Sequence, residues 1–255
     1  MRADPSDTSA PEGAHNLSAL VADSAPVLEM PDTRADDTAV ILYTSGTTGK
    51  PKGAQLSHFN MFYNADYSAN KLMPMGEQTT ALAVLPLFHS FGQTVIQNAV
   101  LAAGGKVVLL PRFEPVAAMQ VISSQKVTLF AGVPTMYFAL LNHPEAGDFD
   151  LSSLEYCAAG GSAMPVEVMN AFDQKYDVNI LEGYGLSETS PVASFNRLDR
   201  PKKAGSIGLP IDGVEFRLED ADGKVIDALD TPGEICIKGH NVMTGYYNRE
   251  AATAE

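Results

Sequence analysis

Between positions 44 and 53 the chain reads Thr44-Ser45-Gly46-Thr47-Thr48-Gly49-Lys50-Pro51-Lys52-Gly53, with three glycines, four hydroxyls and two lysines in ten residues. Glycine lets backbone amides approach an anion, hydroxyls donate hydrogen bonds, and lysine adds a mobile positive charge. The combination suits a polyphosphate. The spacing excludes a Walker A loop, which has four residues between its glycines and Ser or Thr after the lysine. Here two residues separate Gly46 from Gly49, and Pro51 follows Lys50. A flexible polar turn is the plain alternative for this composition.

A second candidate, Gly183-Tyr184-Gly185-Leu186-Ser187-Glu188-Thr189, places glycines beside an aromatic ring and a hydroxyl next to a carboxylate. It is not a serine-hydrolase elbow, because Thr189 stands where Gly-x-Ser-x-Gly needs its last glycine. Taken alone, Glu188 reads as a solvated loop residue. The run Gly160-Gly161-Ser162-Ala163-Met164-Pro165 reads as a glycine turn before a proline-started helix. His89, in Pro86-Leu87-Phe88-His89-Ser90-Phe91-Gly92, would alone be read as structural. Cys157 and Cys236 lack Cys-x-x-Cys spacing and lie in apolar runs, which predicts buried strand residues. The histidines at 15, 58, 89, 143 and 240 show no close metal-ligand spacing.

In their order along the chain these segments resemble the motifs of the adenylate-forming (AMP-binding) superfamily, which includes acyl-CoA synthetases, luciferases and the adenylation domains of peptide synthetases. Residues 44–53 resemble its phosphate loop. The resemblance implies that Thr44, Ser45, Gly46, Thr47, Thr48, Gly49 and Lys50 hold the β- and γ-phosphates of ATP, Thr44 also helping to place Mg2+. Residues 183–189 resemble the second nucleotide motif. That implies a nucleotide-binding set of Gly183, Tyr184, Gly185, Ser187 and Thr189, with Tyr184 against the purine and Ser187 donating to the α-phosphate. Glu188 would bind the Mg2+ that bridges the phosphates. The family usually has Thr where Ser187 stands, and the hydroxyl is kept.

Gly160, Gly161 and Ser162 resemble the adenine-side segment. Residues 86–92 resemble the segment bordering the carboxylate site, so His89 would orient the acid and gate the acyl tunnel. Amino-acid-activating members typically place an aspartate here, whereas this stretch has no carboxylate and carries Phe88 and Phe91. That favours a fatty or aromatic acid. Residues 233–248 resemble a structural block without chemistry of its own. The resemblance is strongest to a fatty-acid acyl-CoA synthetase, in which ATP converts a carboxylic acid to an acyl-adenylate and CoA then takes the acyl group. The Thr-Gly-Asp motif, the lid lysine and the N-terminal region of such enzymes do not occur in this sequence, so a fragment is expected. The rival readings are a truncated, non-catalytic ATP-binding chain and, third, a peptide-synthetase adenylation domain.

The elements that must position these residues follow from periodicity. Strands are predicted at 40–43, 81–87, 106–110, 127–131, 154–158 and 179–182, with helices at about 57–71, 93–103, 115–125, 134–141 and 165–176. That alternation implies an α/β fold, a mainly parallel sheet flanked by helices. After about Pro210 an incomplete antiparallel β subdomain is expected, with strands at 214–219, 224–226 and 234–238 about an Asp222-Gly223 turn. Three regions are therefore expected: an acidic, proline-containing arm (1–38), an α/β AMP-binding core (39–208) and the β-rich segment (209–255).

The 255 residues are 45% hydrophobic, and 31 acidic against 17 basic side chains give a formal charge of −14. That balance excludes a nucleic-acid-binding protein, which needs a basic footprint, but not a small anionic ligand held by a few amides and a lysine. No run approaches the roughly 20 apolar residues of a membrane span, and the N-terminus lacks the basic start of a signal peptide. A cytoplasmic setting is the expectation.

Overall fold

The computed structural model describes residues 16–27, 29–44 and 50–255. The chain divides into two units, Met1–Arg34 and Ala35–Glu255. In the first, α1 (Leu17–Asp23) starts at Asn16, whose side chain accepts a hydrogen bond from the Ala19 amide at 3.0 Å. The composition of this segment did not suggest a helix.

The second unit is built on a seven-stranded sheet of order β4-β3-β5-β6-β7-β8-β9. Its strands are β3 (Thr80–Ala83), β4 (Lys106–Leu109), β5 (Leu129–Gly132), β6 (Tyr156–Ala159), β7 (Ile180–Gly185), β8 (Val192–Phe195) and β9 (Leu209–Pro210). The pairings from β4 to β7 are parallel, and β8 and β9 add antiparallel. The chain runs from β3 outward to β4, then returns past β3 to β5, so the direction of winding reverses beside β3.

Continuous apolar strands are required because both faces are covered. Successive side chains alternate between two cores. Leu82, Phe130, Cys157, Ala159 and Ile180 join one with α4 (Pro115–Gln125), α5 (Pro134–Asn142) and α6 (Val166–Tyr176). Ala81, Ala83, Leu129, Ala131, Ala158 and Leu181 join the other, beneath the helix that begins with wide π turns at Phe91–Asn98 and ends as α3 (Ala99–Ala102).

A three-stranded sheet of order β1-β2-β12 combines β1 (Thr38–Thr44), β2 (Lys52–Ser57) and β12 (Gly245–Tyr246). Ser57 then caps α2 (His58–Tyr67), which continues as a π turn to Leu72. The Asn60 amide donates to the Ser57 hydroxyl at 3.1 Å, and the Ser57 amide donates back to Asn60 Oδ1 at 2.8 Å. The third sheet pairs β10 (Val214–Glu219) with β11 (Glu234–Gly239) antiparallel along their whole length. A short helix, α7 (Glu250–Ala254), ends the chain.

Several expectations need correction. Lys224–Ile226 is not a strand; a single bridge joins Val225 to Glu219. Asp220 instead draws this stretch into a turn, its carboxylate accepting from the Asp222 and Lys224 amides at 3.0 and 2.9 Å. The strand expected at 81–87 ends at Ala83, before Pro86, which has no amide to donate. Cys157 is buried in β6, whereas Cys236 on β11 is only half-buried. Strands β2, β8, β9 and β12 are additions. Among the described residues no helix is long and apolar enough to cross a membrane.

Tyr137 ties the sheet to its helical layer. It is fully buried on α5, and its hydroxyl reaches the carbonyls of Phe130 on β5 (3.1 Å) and Ala158 on β6 (2.8 Å). Tyr137→Phe removes that donor while keeping the ring, and should lower stability by about 1–2 kcal/mol. The effect is read as a lower urea midpoint at unchanged slope.

Candidate active site

Open α/β sheets bind ligands beyond the carboxyl ends of their strands where the winding reverses. In this chain the segments leaving β3, β6 and β7 meet there, around a cleft of about 270 Å³. His89, Gly160, Gly161, Tyr184, Ser187 and Glu188 all line it, as do Gly183 and Gly185. Three motifs separated by up to about a hundred positions in sequence therefore share one space.

The cleft is shaped by how closely β8 lies against β7. A Cβ built on Gly183 would meet the Phe195 ring at 2.2 Å, and one on Gly185 would meet the Pro191 carbonyl oxygen at 1.8 Å. Sequence reasoning has these glycines making room beside an aromatic ring. Their main requirement is instead the approach of β8, and Tyr184 between them is left half-buried at the cleft wall. Gly161 is needed for a different reason, since it turns with φ +82° just after β6.

Buried asparagines hold β8 in place. Asn64 on α2 accepts from the Val192 amide at 3.1 Å and donates to the Val192 carbonyl at 2.9 Å, so its amide stands in for a strand partner. Asn241 also donates to that carbonyl at 3.2 Å, and its own carbonyl accepts from the Ser190 hydroxyl at 2.8 Å. Asn196 donates to the carbonyls of Glu182 and Ser206 at 3.0 and 2.6 Å. Buried Glu182 accepts from the Met164 amide at 2.9 Å, which fixes the 160–165 turn to β7. None of these four was singled out from sequence. Isolated Asn and Glu residues carry no local pattern, and their partners lie up to 128 positions away.

His89 is exposed at the mouth of the cleft. The Phe91 amide donates to its Nδ1 at 3.2 Å, so in the neutral ring the proton sits on Nε2. Phe91 lines the cleft, whereas Phe88 points outward and is 83% exposed.

Glu188 is half-buried on the turn after β7. The Tyr246 hydroxyl donates to its Oε1 at 2.8 Å, and its carbonyl accepts from the Met243 amide at 2.8 Å. Oε2 has no hydrogen bond among the described residues. Burial, reinforced by the bond to Glu188, pushes the Tyr246 phenol up to about 12. The phenol therefore stays a donor throughout the neutral range.

The remaining expected residues lie elsewhere. Thr189 does not line the cleft. Its buried hydroxyl accepts from the Leu186 amide at 2.8 Å and reaches the Pro191 carbonyl at 2.6 Å, which closes the turn rather than meeting a ligand. Ser162 is exposed and also does not line the cleft. Ser45, Gly46, Thr47, Thr48 and Gly49 lie outside the described residues. Thr44 ends β1 with its hydroxyl 3.5 Å from the Lys52 carbonyl, and Lys50 is exposed; neither lines the cleft.

Among the described residues no group of three or more His, Cys, Asp or Glu side chains could hold a metal ion. Glu188 can offer one oxygen. This donor set fits a Mg2+ ion that arrives on phosphate oxygens and keeps several waters, not a metal caged by protein.

Residues 3–247 match the AMP-binding enzyme family, and the chain belongs to it. It is 40% identical over 219 residues to a long-chain-fatty-acid–CoA ligase of Bacillus subtilis (strain 168), an overlap covering 86% of this chain and 39% of that protein. It is 36% identical over 223 residues to a feruloyl-CoA synthase of Amycolatopsis sp, covering 86% of this chain and 44% of that one. ATP-bound MatB from Rhodopseudomonas palustris has the same architecture, with TM-score 0.85 and 31% identity over 96% of this chain and 48% of that one. The chain thus spans less than half the length of these relatives.

Asn64 offers a check on how the cleft is held. Asn64→Ala leaves the Val192 amide without its partner in a buried place, and should cost about 2 kcal/mol. Thermal unfolding would show the loss, and limited proteolysis should cut first near β8.

Proposed function

We propose that this chain provides the nucleotide-binding half of an acid–CoA ligase, in which ATP and a carboxylic acid form an acyl-adenylate with release of pyrophosphate. The CoA thiol then displaces AMP to give the thioester. A carboxylate is a poor electrophile until AMP becomes its leaving group, so the chemistry rests on placing phosphates in line with the acid. The observation that carries the reading is the convergence of His89, Gly160, Tyr184, Ser187 and Glu188 on one cleft at the reversal of strand winding. Membership of the AMP-binding family supports it.

In this reading Tyr184 lies along the purine and Gly160 and Gly161 offer backbone to its edge. Ser187 donates to the α-phosphate, and Thr44 to Lys50 bind the β- and γ-phosphates. His89, its Nδ1 occupied by the Phe91 amide and its proton on Nε2, orients the acid. Glu188, with Thr44, holds Mg2+, which when bound neutralises phosphate charge. Ser162 and Thr189, outside the cleft, act through the turns they belong to. Residues 39–208 do the nucleotide binding, residues 209–255 support it, and the residues up to Arg34 form a unit of their own. Two free cysteines accord with a cytoplasmic setting.

The acid is proposed to be a fatty acid. The relative at 40% identity carries that activity in its name, residues 86–92 contain no carboxylate, and Phe91 gives the cleft an apolar wall. An aromatic acid is the second reading, favoured by the feruloyl-CoA synthase relative.

Calorimetry should show ATP binding in the presence of Mg2+, weakened about tenfold by Glu188→Gln. In a chain carrying both halves of the ligase, ATP–pyrophosphate exchange driven by long-chain fatty acids, and not by ferulate or amino acids, is the expected substrate result. Exchange only with ferulate would select the aromatic reading, and exchange only with amino acids the peptide-synthetase one. Binding without exchange for any acid would select a non-catalytic ATP-binding chain.

A further inference from the structure

Tyr246 belongs to none of the motifs that point to the cleft, and it does not line the cleft. Nevertheless it touches both halves of the nucleotide site. Its strand, β12, pairs antiparallel with β2, placing Gly245 opposite Gln55 and Tyr246 opposite Ala54. The Thr244 amide donates to the Gln55 carbonyl at 3.0 Å, and the Tyr247 amide to the Gly53 carbonyl at 2.8 Å. β2 is the strand that leaves the 44–53 loop. Just before β12, the Met243 amide donates to the Glu188 carbonyl. Residues 243–247 are therefore bonded along one strand to the segment carrying the loop, and at one end to the turn carrying Glu188.

The side chain repeats this bridge. The phenol donates to Glu188 Oε1 at 2.8 Å, and the Lys52 ammonium sits 4.5 Å from the centre of the same ring. A cation over a tyrosine face is attracted by the ring quadrupole, and more strongly where water is partly excluded. A carboxylate held at one oxygen by a donor loses rotational freedom. Its second oxygen then has one direction to point.

We propose that Tyr246 is a positioning residue for the metal–nucleotide complex: its phenol pins Glu188 Oε1 so that Oε2 is presented to the cleft, while its ring carries Lys52 and joins the strand leaving the 44–53 loop to the Glu188 turn. The inference rests on the nucleotide reading above. It does not make Tyr246 a ligand of metal or ATP. Outer-shell partners that orient a metal-binding carboxylate typically change affinity for the metal by tenfold or more when removed.

The test is calorimetry of the 255-residue chain with ATP, once with excess Mg2+ and once with EDTA, for wild type, Tyr246→Phe and Tyr246→Leu. Tyr246→Phe keeps the ring beneath Lys52 and removes only the hydroxyl. Its affinity for Mg2+-bound ATP should fall about tenfold, while its affinity for metal-free ATP changes less than about twofold. Its melting temperature should stay within about 2 °C of wild type. Tyr246→Leu removes the ring as well and should also weaken metal-free ATP.

An unchanged ratio between the two affinities in Tyr246→Phe overturns the proposal. So does equal weakening of both affinities with a lower melting temperature, since that is a purely structural role. Wild-type protein that binds ATP under neither condition would instead remove the nucleotide reading itself, which separates that failure from a failure of Tyr246.

Discussion

The approach of β8 to β7 is the contact on which the cleft depends. Strand β7 is parallel to β6 on one edge and antiparallel to β8 on the other, so its carboxyl end is the seam between two sheet types. At that seam the Phe195 ring leaves no room for a side chain at position 183, and the Pro191 backbone leaves none at position 185. Glycine there lets β8 close, and the closed β8 supplies the wall, through Pro191, Val192 and Phe195, that faces His89 and Phe91. Without this contact, Tyr184, Ser187 and Glu188 would sit on an open loop.

Because that contact is tight, it has to be held from outside the sheet. The amide of Asn64 reaches from α2 to Val192, Asn241 reaches the same carbonyl from the β-rich segment, and Tyr246 reaches Glu188 from β12. The groups that look ready for chemistry are thus few and local. The groups that keep them in register come from both ends of the chain. A buried asparagine can satisfy an amide and a carbonyl at once, which is why it serves where a further strand cannot fit.

Much of the fold was legible from residue order, for a definite reason. With helices on both faces, β3, β5, β6 and the start of β7 are mostly apolar, and runs such as Leu129 to Gly132 show this without alternation. Pro115, Pro134 and Ser57 mark helix starts through local backbone chemistry, and Gly104 marks a helix end at φ +80°. Strands β2, β8, β9 and β12 lacked such marks. Lys52–Ser57 has one large apolar residue, Leu56, and becomes a strand because β1 and β12 pair with it on either side. The reverse held at Lys224–Ile226, where suitable residues found no partner strand.

The sequence by itself determined the family and the set of chemically able residues. Motif order, glycine spacing and the adjacency of Ser187 to Glu188 are local properties that folding does not change. Only the tertiary structure decided which of them meet. It gathered His89, Gly160, Gly161, Tyr184, Ser187 and Glu188 around one cleft and turned Thr189 inward to close a turn. It also made Tyr246, 58 positions from Glu188 along the chain, that residue's immediate neighbour. The reason is physical: a hydrogen bond of 2.8 Å depends on where two strands are placed, and no property of either residue's sequence neighbours encodes that distance.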